Sequence, residues 1–203
     1  NDFQIAVLDG LQLAYKVTCN SLYGQVGATT SPICCKELAA CTTATERRMV
    51  IVARDLTLEK FEGSKLTYGD TDSVFINFTD TIINRFPEKK LSEKDLLAES
   101  IKIGEEAAAH INSHMKAPQN IEYEKTFWPF CIFSKKRYFG NKYEFDLDKY
   151  KQTSMGIVLK RRDNAPIVKT IYGGVIDIIL NKRNVEDSKK YFNKAIKDLL
   201  DGN

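Results

Sequence analysis

Asp70 and Asp72 lie two residues apart, just after a glycine, in the sequence L-T-Y-G-D-T-D-S-V. The alternation of side chains over residues 73–78 predicts a half-buried strand, and residues 65–68 predict a shorter one. Gly69-Asp70-Thr71 then lies at the reversal of a hairpin. Two carboxylates at one tight turn concentrate negative charge, which a hard divalent cation such as Mg²⁺ would relieve.

The chemistry that this pair of acids permits is phosphoryl transfer. Mg²⁺ takes oxygen ligands and shares its coordination shell with substrate phosphates. Two such ions about 3.5–4 Å apart can activate the attacking oxygen and clamp the leaving oxygen of an in-line displacement. The alternative is that Asp70 and Asp72 only shape the turn, because Asp is common in turns.

A second group of polar residues lies upstream, in the pattern K-x-x-x-N-S-x-Y-G of residues 16–24. Residues 5–23 predict a helix, with Gly24 just beyond its end. The spacing of four, four and three puts one polar stripe on a single helix face, formed by Gln12, Lys16, Asn20 and Tyr23. A cation suits a triphosphate, and an amide with a ring suits a base pair. The alternative is an ordinary amphipathic helix with a solvated face.

Together these motifs resemble a known family. Residues 16–24 and the Y-G-D-T-D-S of residues 68–73 resemble motifs B and C of the family B DNA polymerases. The S-K-K-R-Y of residues 134–138 resembles the family's K-K-R-Y segment. The G-I-V-L-K-R-R-D of residues 156–163 resembles the G-x-x-x-x-R-R-D segment that begins the thumb. The four segments occur in the family's order, and the surrounding sequence looks most like polymerases of large double-stranded DNA viruses.

The resemblance implies an α+β fold, the polymerase palm, in which a mixed or antiparallel sheet carries helices on one face. The implied domains are the end of the fingers and entry to the palm at 1–30, the palm at 31–150, and a truncated start of the helical thumb at 151–203. The pattern of the residues independently predicts helix, hairpin, helix and strands, which also indicates a sheet covered by helices.

The resemblance also implies catalytic and nucleotide-binding roles. Asp72 would be the main ligand of two Mg²⁺ ions, and Asp70 an assisting or minor-groove-facing neighbour. Lys16 would hold the incoming deoxynucleoside triphosphate, while Asn20 and Tyr23 would face the nascent base pair.

Contacts to a DNA primer-template would come from a basic stretch between Cys131 and Asp163, which holds nine Lys and Arg against four Asp and Glu. The residues implied are Lys135, Lys136, Arg137 and Tyr138 near the primer end, and Arg161 and Arg162 from the thumb. The alternative is a solvated basic strand and loop. Glu124 is a candidate for a further acid near the metals, and a surface carboxylate paired with Lys125 is an equally supported alternative.

One part of the family pattern is missing. Motif A, an Asp within a D-F-x-S-L-Y-P-S-type strand, does not occur in the 203 residues. We therefore expect a fragment of a longer polymerase, and two alternatives stay open. One is a degenerate copy that binds primer-template as a scaffold, although Lys16 and both acids are retained. The other is an RNA-directed polymerase, which D-T-D-S disfavours. A sliding clamp or processivity factor is a further partner that the resemblance allows.

Composition and local patterns add limits. The net charge is only +3, and the five cysteines are odd in number without a C-x-x-C, which favours reduced, intracellular thiols. No apolar run approaches the length of a membrane span. If the polymerase is viral, as the resemblance implies, it would act inside the host cell, at a nuclear or cytoplasmic replication site. We further expect a helix at 36–61 and a capping box formed by Ser92 and Asp95. Strands are expected at 121–125, 131–134 and 137–145. Helices are expected from Asn164 onward, with Pro166 in a first turn and Asn184 and Asp187 at a cap.

Overall fold

The computed structural model describes residues 2–160 and 164–202. The chain forms two compact units, one of Asn1–Asp55 with Thr71–Val74, the other of Leu56–Asp70 with Phe75–Asn203. The described α-helices are α1 (Asp2–Gly27), α2 (Lys36–Lys60), α3 (Thr79–Arg85), α4 (Glu93–Asn112), α5 (Pro166–Asp177) and α6 (Val185–Leu200). The described strands are β1 (Lys65–Asp70), β2 (Ser73–Asn77), β3 (Thr126–Ser134), β4 (Arg137–Tyr143) and β5 (Lys151–Met155).

The α+β class is confirmed, but the strands form two small sheets instead of the single expected one. β1 and β2 make a two-stranded sheet, and β3, β4 and β5 make a three-stranded antiparallel sheet in that order. In the part of the chain that the structure describes, no helix is both long and apolar enough to cross a membrane.

The first unit contains α1 and most of α2. The predicted helix at 36–61 is confirmed, but α1 extends past its predicted end, so Gly24 lies inside the helix and not beyond it. The end at Gly27 is set by the following turn, where the Cys35 N–H donates to the Val26 carbonyl at 2.8 Å. A Cβ on Gly27 would lie 3.6 Å from the Cβ of Ala39, so the two helices lie close together there.

The predicted hairpin is confirmed, but its reversal is shorter and later than expected. Asp70 is the last residue of β1, and Thr71 and Asp72 form the turn. Thr71 has a φ of 35°, in the left-handed region that a β-branched residue occupies only with strain. The two acids therefore differ in setting, because Asp70 is partly buried on a strand and Asp72 is exposed in the turn.

In the second unit, α3 and α4 bury a core of Phe61, Ile82, Ile103 and Ala107. The capping box that starts α4 is confirmed. The Asp95 N–H donates to the Ser92 hydroxyl at 3.2 Å, and the Ser92 N–H donates to the Asp95 carboxylate at 3.1 Å. A cap of this kind contributes about 1 kcal/mol.

The strand predicted at 121–125 is wrong, and at its first residue the side chain of Asn112 takes both backbone groups. The Ile121 N–H donates to Asn112 Oδ1 at 2.7 Å, and Asn112 Nδ2 donates to the Ile121 carbonyl at 2.8 Å. The segment expected at 131–134 is the second half of the longer β3, and β4 ends at Tyr143. The sequence K-Q-T-S-M of β5 was not predicted, since it has almost no apolar alternation.

The helical tail is confirmed, with Pro166 in the first turn of α5. The Asn184 side chain caps α6 by accepting from the amides of Glu186 at 3.0 Å and Asp187 at 3.2 Å. A second core joins this tail to β4 through Phe139, Ile157, Ile176 and Leu180.

An ion pair also joins the tail to α4. The Arg183 guanidinium donates to both carboxylate oxygens of Glu93, at 2.5 and 2.7 Å. Trp128 Nε1 donates to the same carboxylate at 3.2 Å, and the guanidinium lies 5.5 Å from the Trp128 ring centroid. These donors, with Arg183 first, hold the pKa of Glu93 below its usual range.

Candidate active site

The turn between β3 and β4 consists of Lys135 and Lys136, here called the basic turn. Ser134 pairs with Arg137, so the two lysines alone reverse the chain. Lys136 has a φ of 60°. A non-glycine residue holds that conformation only where neighbouring structure compensates for its cost in free energy. The contacts of Lys136 must therefore offset this cost.

The basic turn contacts the last residues of β1. Lys136 Nζ lies 2.8 Å from Asp70 Oδ1, and the Lys136 N–H donates to the Tyr68 hydroxyl oxygen at 2.8 Å. The Asp70 side chain is 17% exposed and that of Lys136 is 61% exposed. A partly buried carboxylate is therefore neutralised by a cation that remains accessible to solvent.

Five aromatic rings hold the hairpin against the three-stranded sheet. The ring of Phe75 lies 6.0 Å from Phe127, 5.6 Å from Phe130 and 5.8 Å from Tyr138, measured between centroids. Tyr68 adds contacts with Phe75 at 5.4 Å and Tyr138 at 6.2 Å. Each aromatic pair contributes about 0.5–1.5 kcal/mol beyond its buried area, so this aromatic cluster fixes Asp70 relative to the basic turn.

Tyr138 lies within this cluster and is only 7% exposed. Burial is the largest cause that raises the pKa of its phenol, followed by the charge of Asp70, with further contributions from Tyr68 and Glu124. The phenol thus stays protonated at neutral pH.

Glu124 forms the ion pair of the surface interpretation, and its place near the metals stays a prediction. Its carboxylate accepts from Lys125 Nζ at 2.6 Å, the ion pair that the surface interpretation predicts. Its charge is also one of the smaller causes that raise the pKa of the Tyr138 phenol. Across residues 2–160 and 164–202, no three His, Cys, Asp or Glu side chains gather into a group that could hold a metal ion.

Gly156 packs directly against the basic turn. It has a φ of 63°, and a Cβ at this position would lie 2.0 Å from the Lys136 carbonyl oxygen. Only glycine allows this approach, which explains the first residue of the G-x-x-x-x-R-R-D segment in physical terms. Arg161 and Arg162 of the same segment lie outside the described residues.

The predicted nucleotide-binding stripe lies on α1, as the spacing indicated. Lys16, Asn20 and Tyr23 are all exposed, together with Gln12. These residues and Asp72 belong to the first unit, whereas Asp70, Glu124 and the basic turn belong to the second. Of the predicted DNA-binding residues in the second unit, Lys135, Lys136 and Arg137 are exposed.

Two residues of this site were not singled out from the sequence. Tyr68 contributes a hydroxyl to the basic turn, and Gly156 contributes space for it. Tyr68 is the first residue of Y-G-D-T-D-S and Gly156 is the first residue of G-I-V-L-K-R-R-D. Their positions in these motifs could have indicated a role at the site. Their roles depend on a contact between segments 68 residues apart, which no local pattern reveals.

The second unit thus holds Asp70, from the D-T-D-S segment, against the basic turn from the K-K-R-Y segment. The chain belongs to DNA polymerase family B, whose family model matches residues 1–202. This confirms the family that the four motifs indicated.

Viral and eukaryotic DNA polymerases are among its relatives. The chain is 54% identical, over its whole length, to a DNA polymerase of Pyramimonas orientalis virus, and covers 16% of that protein. It is 35% identical over 99% of its length to a DNA polymerase of Paramecium bursaria Chlorella virus NY2A, covering 21% of it. The DNA polymerase delta catalytic subunit of Glycine max is 34% identical over 96% of the chain, which covers 17% of that subunit. The chain thus spans about a fifth or less of these relatives.

Proposed function

We propose that this chain is part of a longer DNA polymerase that extends a primer 3′ end from deoxynucleoside triphosphates during DNA replication. The observation that carries the proposal is the 2.8 Å ion pair between Asp70 and Lys136. It joins the D-T-D-S hairpin to the K-K-R-Y turn, two motifs that the sequence separates by more than sixty residues. Membership of family B supports the same conclusion.

Asp72 and Asp70 would hold the divalent metal. Their carboxylates are the hard oxygen donors that Mg²⁺ prefers. At Asp70 the metal would compete with the Lys136 ammonium, which lies 2.8 Å from the carboxylate. Two Mg²⁺ ions, when bound, supply Lewis acidity for the primer 3′ oxygen and neutralise charge on the triphosphate. Two carboxylates are too few for such a pair of ions, so a further Asp of motif A type would come from outside these 203 residues.

The remaining residues would bind and orient the substrates. Lys16 would pair with the triphosphate, because an ammonium stabilises charge that develops on phosphate oxygens. Asn20 and Tyr23 lie one turn or two further along the same exposed helix and would meet the nascent base pair. In the polymerase these residues would belong to the end of the fingers.

The primer-template would lie along the second unit. Lys135, Lys136 and Arg137 would contact it from the palm, and Arg161 and Arg162 from the start of the thumb. Contacts of this kind position the duplex without strong sequence preference, as replication requires. Glu124 would be a further acid near the metals, with its carboxylate paired to Lys125.

The experiment is primer extension by the polymerase that carries this segment, with Asp72→Asn as the variant. The substitution removes one anionic ligand while keeping the size of the side chain. We expect extension to fall by at least about a hundredfold, because metal-bound oxygens contribute several kcal/mol to the transition state. Primer-template affinity should change by less than about twofold.

Asp80→Asn is the control, since Asp80 is an acid outside the D-T-D-S segment, with a side chain that is 49% exposed and paired with Lys65 at 2.6 Å. It should extend primers normally. Near-normal extension by Asp72→Asn would refute the metal assignment. An inactive parent that still binds primer-template would favour the scaffold alternative.

A further inference from the structure

Lys136 is held through its main chain as well as through its side chain. Its N–H donates to the Tyr68 hydroxyl at 2.8 Å, its carbonyl oxygen lies against Gly156, and its Nζ lies 2.8 Å from Asp70. The left-handed conformation of Lys136, with a φ of 60°, costs free energy that such contacts must offset. The hydroxyl of Tyr68 is therefore part of what keeps the basic turn in this conformation.

The position of that hydroxyl is itself fixed by packing. Tyr68 is 9% exposed, and its ring contacts Phe75 and Tyr138 within the aromatic cluster. The ring cannot follow a shifted turn without disturbing those contacts, because close-packed interiors resist displacement. Tyr68 thus links the packing beneath the hairpin to the orientation of one peptide group in the basic turn.

We propose that Tyr68 is a positioning residue, whose hydroxyl fixes the Lys136 peptide so that the ammonium stays on the Asp70 carboxylate. Tyr68 acts through Lys136 and touches no reacting atom. This inference rests on the proposed function, because it assumes that the placement of Lys136 beside Asp70 matters for nucleotide incorporation. Loss of the hydroxyl would free the peptide to rotate and would leave the ammonium at Asp70 for a smaller fraction of the time.

The test is a double-mutant cycle of Tyr68→Phe and Lys136→Ala in the polymerase that carries this segment. Tyr68→Phe should lower the single-turnover incorporation rate about threefold to tenfold, the range that one neutral hydrogen bond supports. In the Lys136→Ala background there is no ammonium left to misplace, so the same substitution should lower the rate by less than about 1.5-fold.

Tyr123→Phe is the matched control, because it removes a partly buried tyrosine hydroxyl of the same unit, bonded to Thr126 at 2.8 Å and to the Glu144 carbonyl at 3.1 Å. It should leave the incorporation rate unchanged in both backgrounds. An equal loss from Tyr68→Phe in both backgrounds would mean a merely structural role and would overturn the inference. A Tyr68→Phe variant with the full parental rate would also overturn it.

Amide hydrogen exchange gives a readout that does not depend on activity. The Lys136 amide should exchange slowly in the parent and about tenfold faster in Tyr68→Phe, since its acceptor is gone. Unchanged exchange would overturn the positioning role even in an active enzyme. If the Lys136 amide exchanges faster in Tyr68→Phe than in the parent, but the parent itself cannot extend primers, the contact is supported and the proposed function is refuted, so the two failures are distinguishable.

Discussion

At the scale of single residues, the two acids of the D-T-D-S segment have different surroundings. Asp70 ends a strand and has a lysine ammonium at 2.8 Å, whereas Asp72 lies exposed in a strained turn. A cation that binds Asp70 must displace or share the Lys136 ammonium, whereas the Asp72 carboxylate is open to solvent. This difference supports Asp72 as the principal metal ligand and Asp70 as its neighbour.

The Lys16 stripe gives a second prediction at this scale. Lys16→Ala should weaken nucleotide binding and slow incorporation, together by about tenfold to a hundredfold, because its cation meets charge on the phosphates. Tyr23→Ala should instead reduce discrimination between matched and mismatched nucleotides. Single-turnover incorporation across a range of nucleotide concentrations separates the two effects.

Lys36→Ala is the control for the stripe, since Lys36 is an exposed lysine of the same unit at the start of α2. It should leave both the affinity and the rate unchanged. If Lys16→Ala behaves like Lys36→Ala, the stripe is only a solvated helix face.

At the scale of elements, the sequence was a good guide wherever a local rule decides the structure. The Ser92–Asp95 capping box, the Asn184 cap and Pro166 in a first turn all follow from hydrogen bonds or dihedral angles within a few residues. The strand expected at 121–125 does not form, and the backbone of its first residue, Ile121, is bound by the side chain of Asn112, nine residues earlier. The alternation of apolar residues in a segment cannot reveal that a side chain from a neighbouring helix will bind the backbone of that segment.

Gly156→Ala tests the contact between the segment after β5 and the basic turn. The new Cβ would meet the Lys136 carbonyl at 2.0 Å, and an alanine is strained at a φ of 63°. We expect a loss of about 1–3 kcal/mol in the free energy of unfolding, measured by denaturant titration. Gly10→Ala in α1, where a Cβ would meet no atom within 4 Å, should instead stabilise by about 0.5–1 kcal/mol. Equal effects at both glycines would contradict the close approach at Gly156.

At the scale of the whole molecule, the family could be predicted from the order and spacing of four motifs, but the site's supporting contacts could not. Tyr68 and Gly156 act through a turn that is distant in sequence, and the aromatic cluster draws its rings from β1, β2, β3 and β4. Which rings meet depends on how the hairpin packs on the sheet, and period-two patterns specify only a face. The roles given to Lys16, Asp72 and the arginines of residues 161–162 remain predictions.

DNA binding gives the prediction that belongs to this scale. Each phosphate contact that is lost should reduce the log–log salt dependence of duplex affinity by about 0.9. Arg161→Ala and Arg162→Ala should therefore weaken binding equally on unrelated sequences and flatten the slope, whereas Lys136→Ala should mainly impair extension from the primer end. Affinity measured across a salt series for each variant decides between these outcomes.

Lys102→Ala is the matched control, because this exposed lysine on α4 is already paired with Glu99 at 2.7 Å. It should leave the slope unchanged. Slopes and affinities that are unchanged for all three test variants would remove the DNA-groove assignment from this part of the chain.

The ion pair between Glu93 and Arg183 adds a noncovalent connection between the tail and α4, beside the core around Phe139. The covalent path between the two residues runs over 90 positions, whereas the noncovalent path is one guanidinium bound to one carboxylate. A protease that cut the exposed segment between β4 and β5 would therefore leave two pieces still joined, by this pair and by the core around Phe139.

The pair requires the ionised carboxylate, so its contribution is present above the ordinary Glu pKa near 4.5 and is lost as pH falls through the lowered value in the folded protein. Nicked pieces would accordingly separate more readily in acid than at neutral pH.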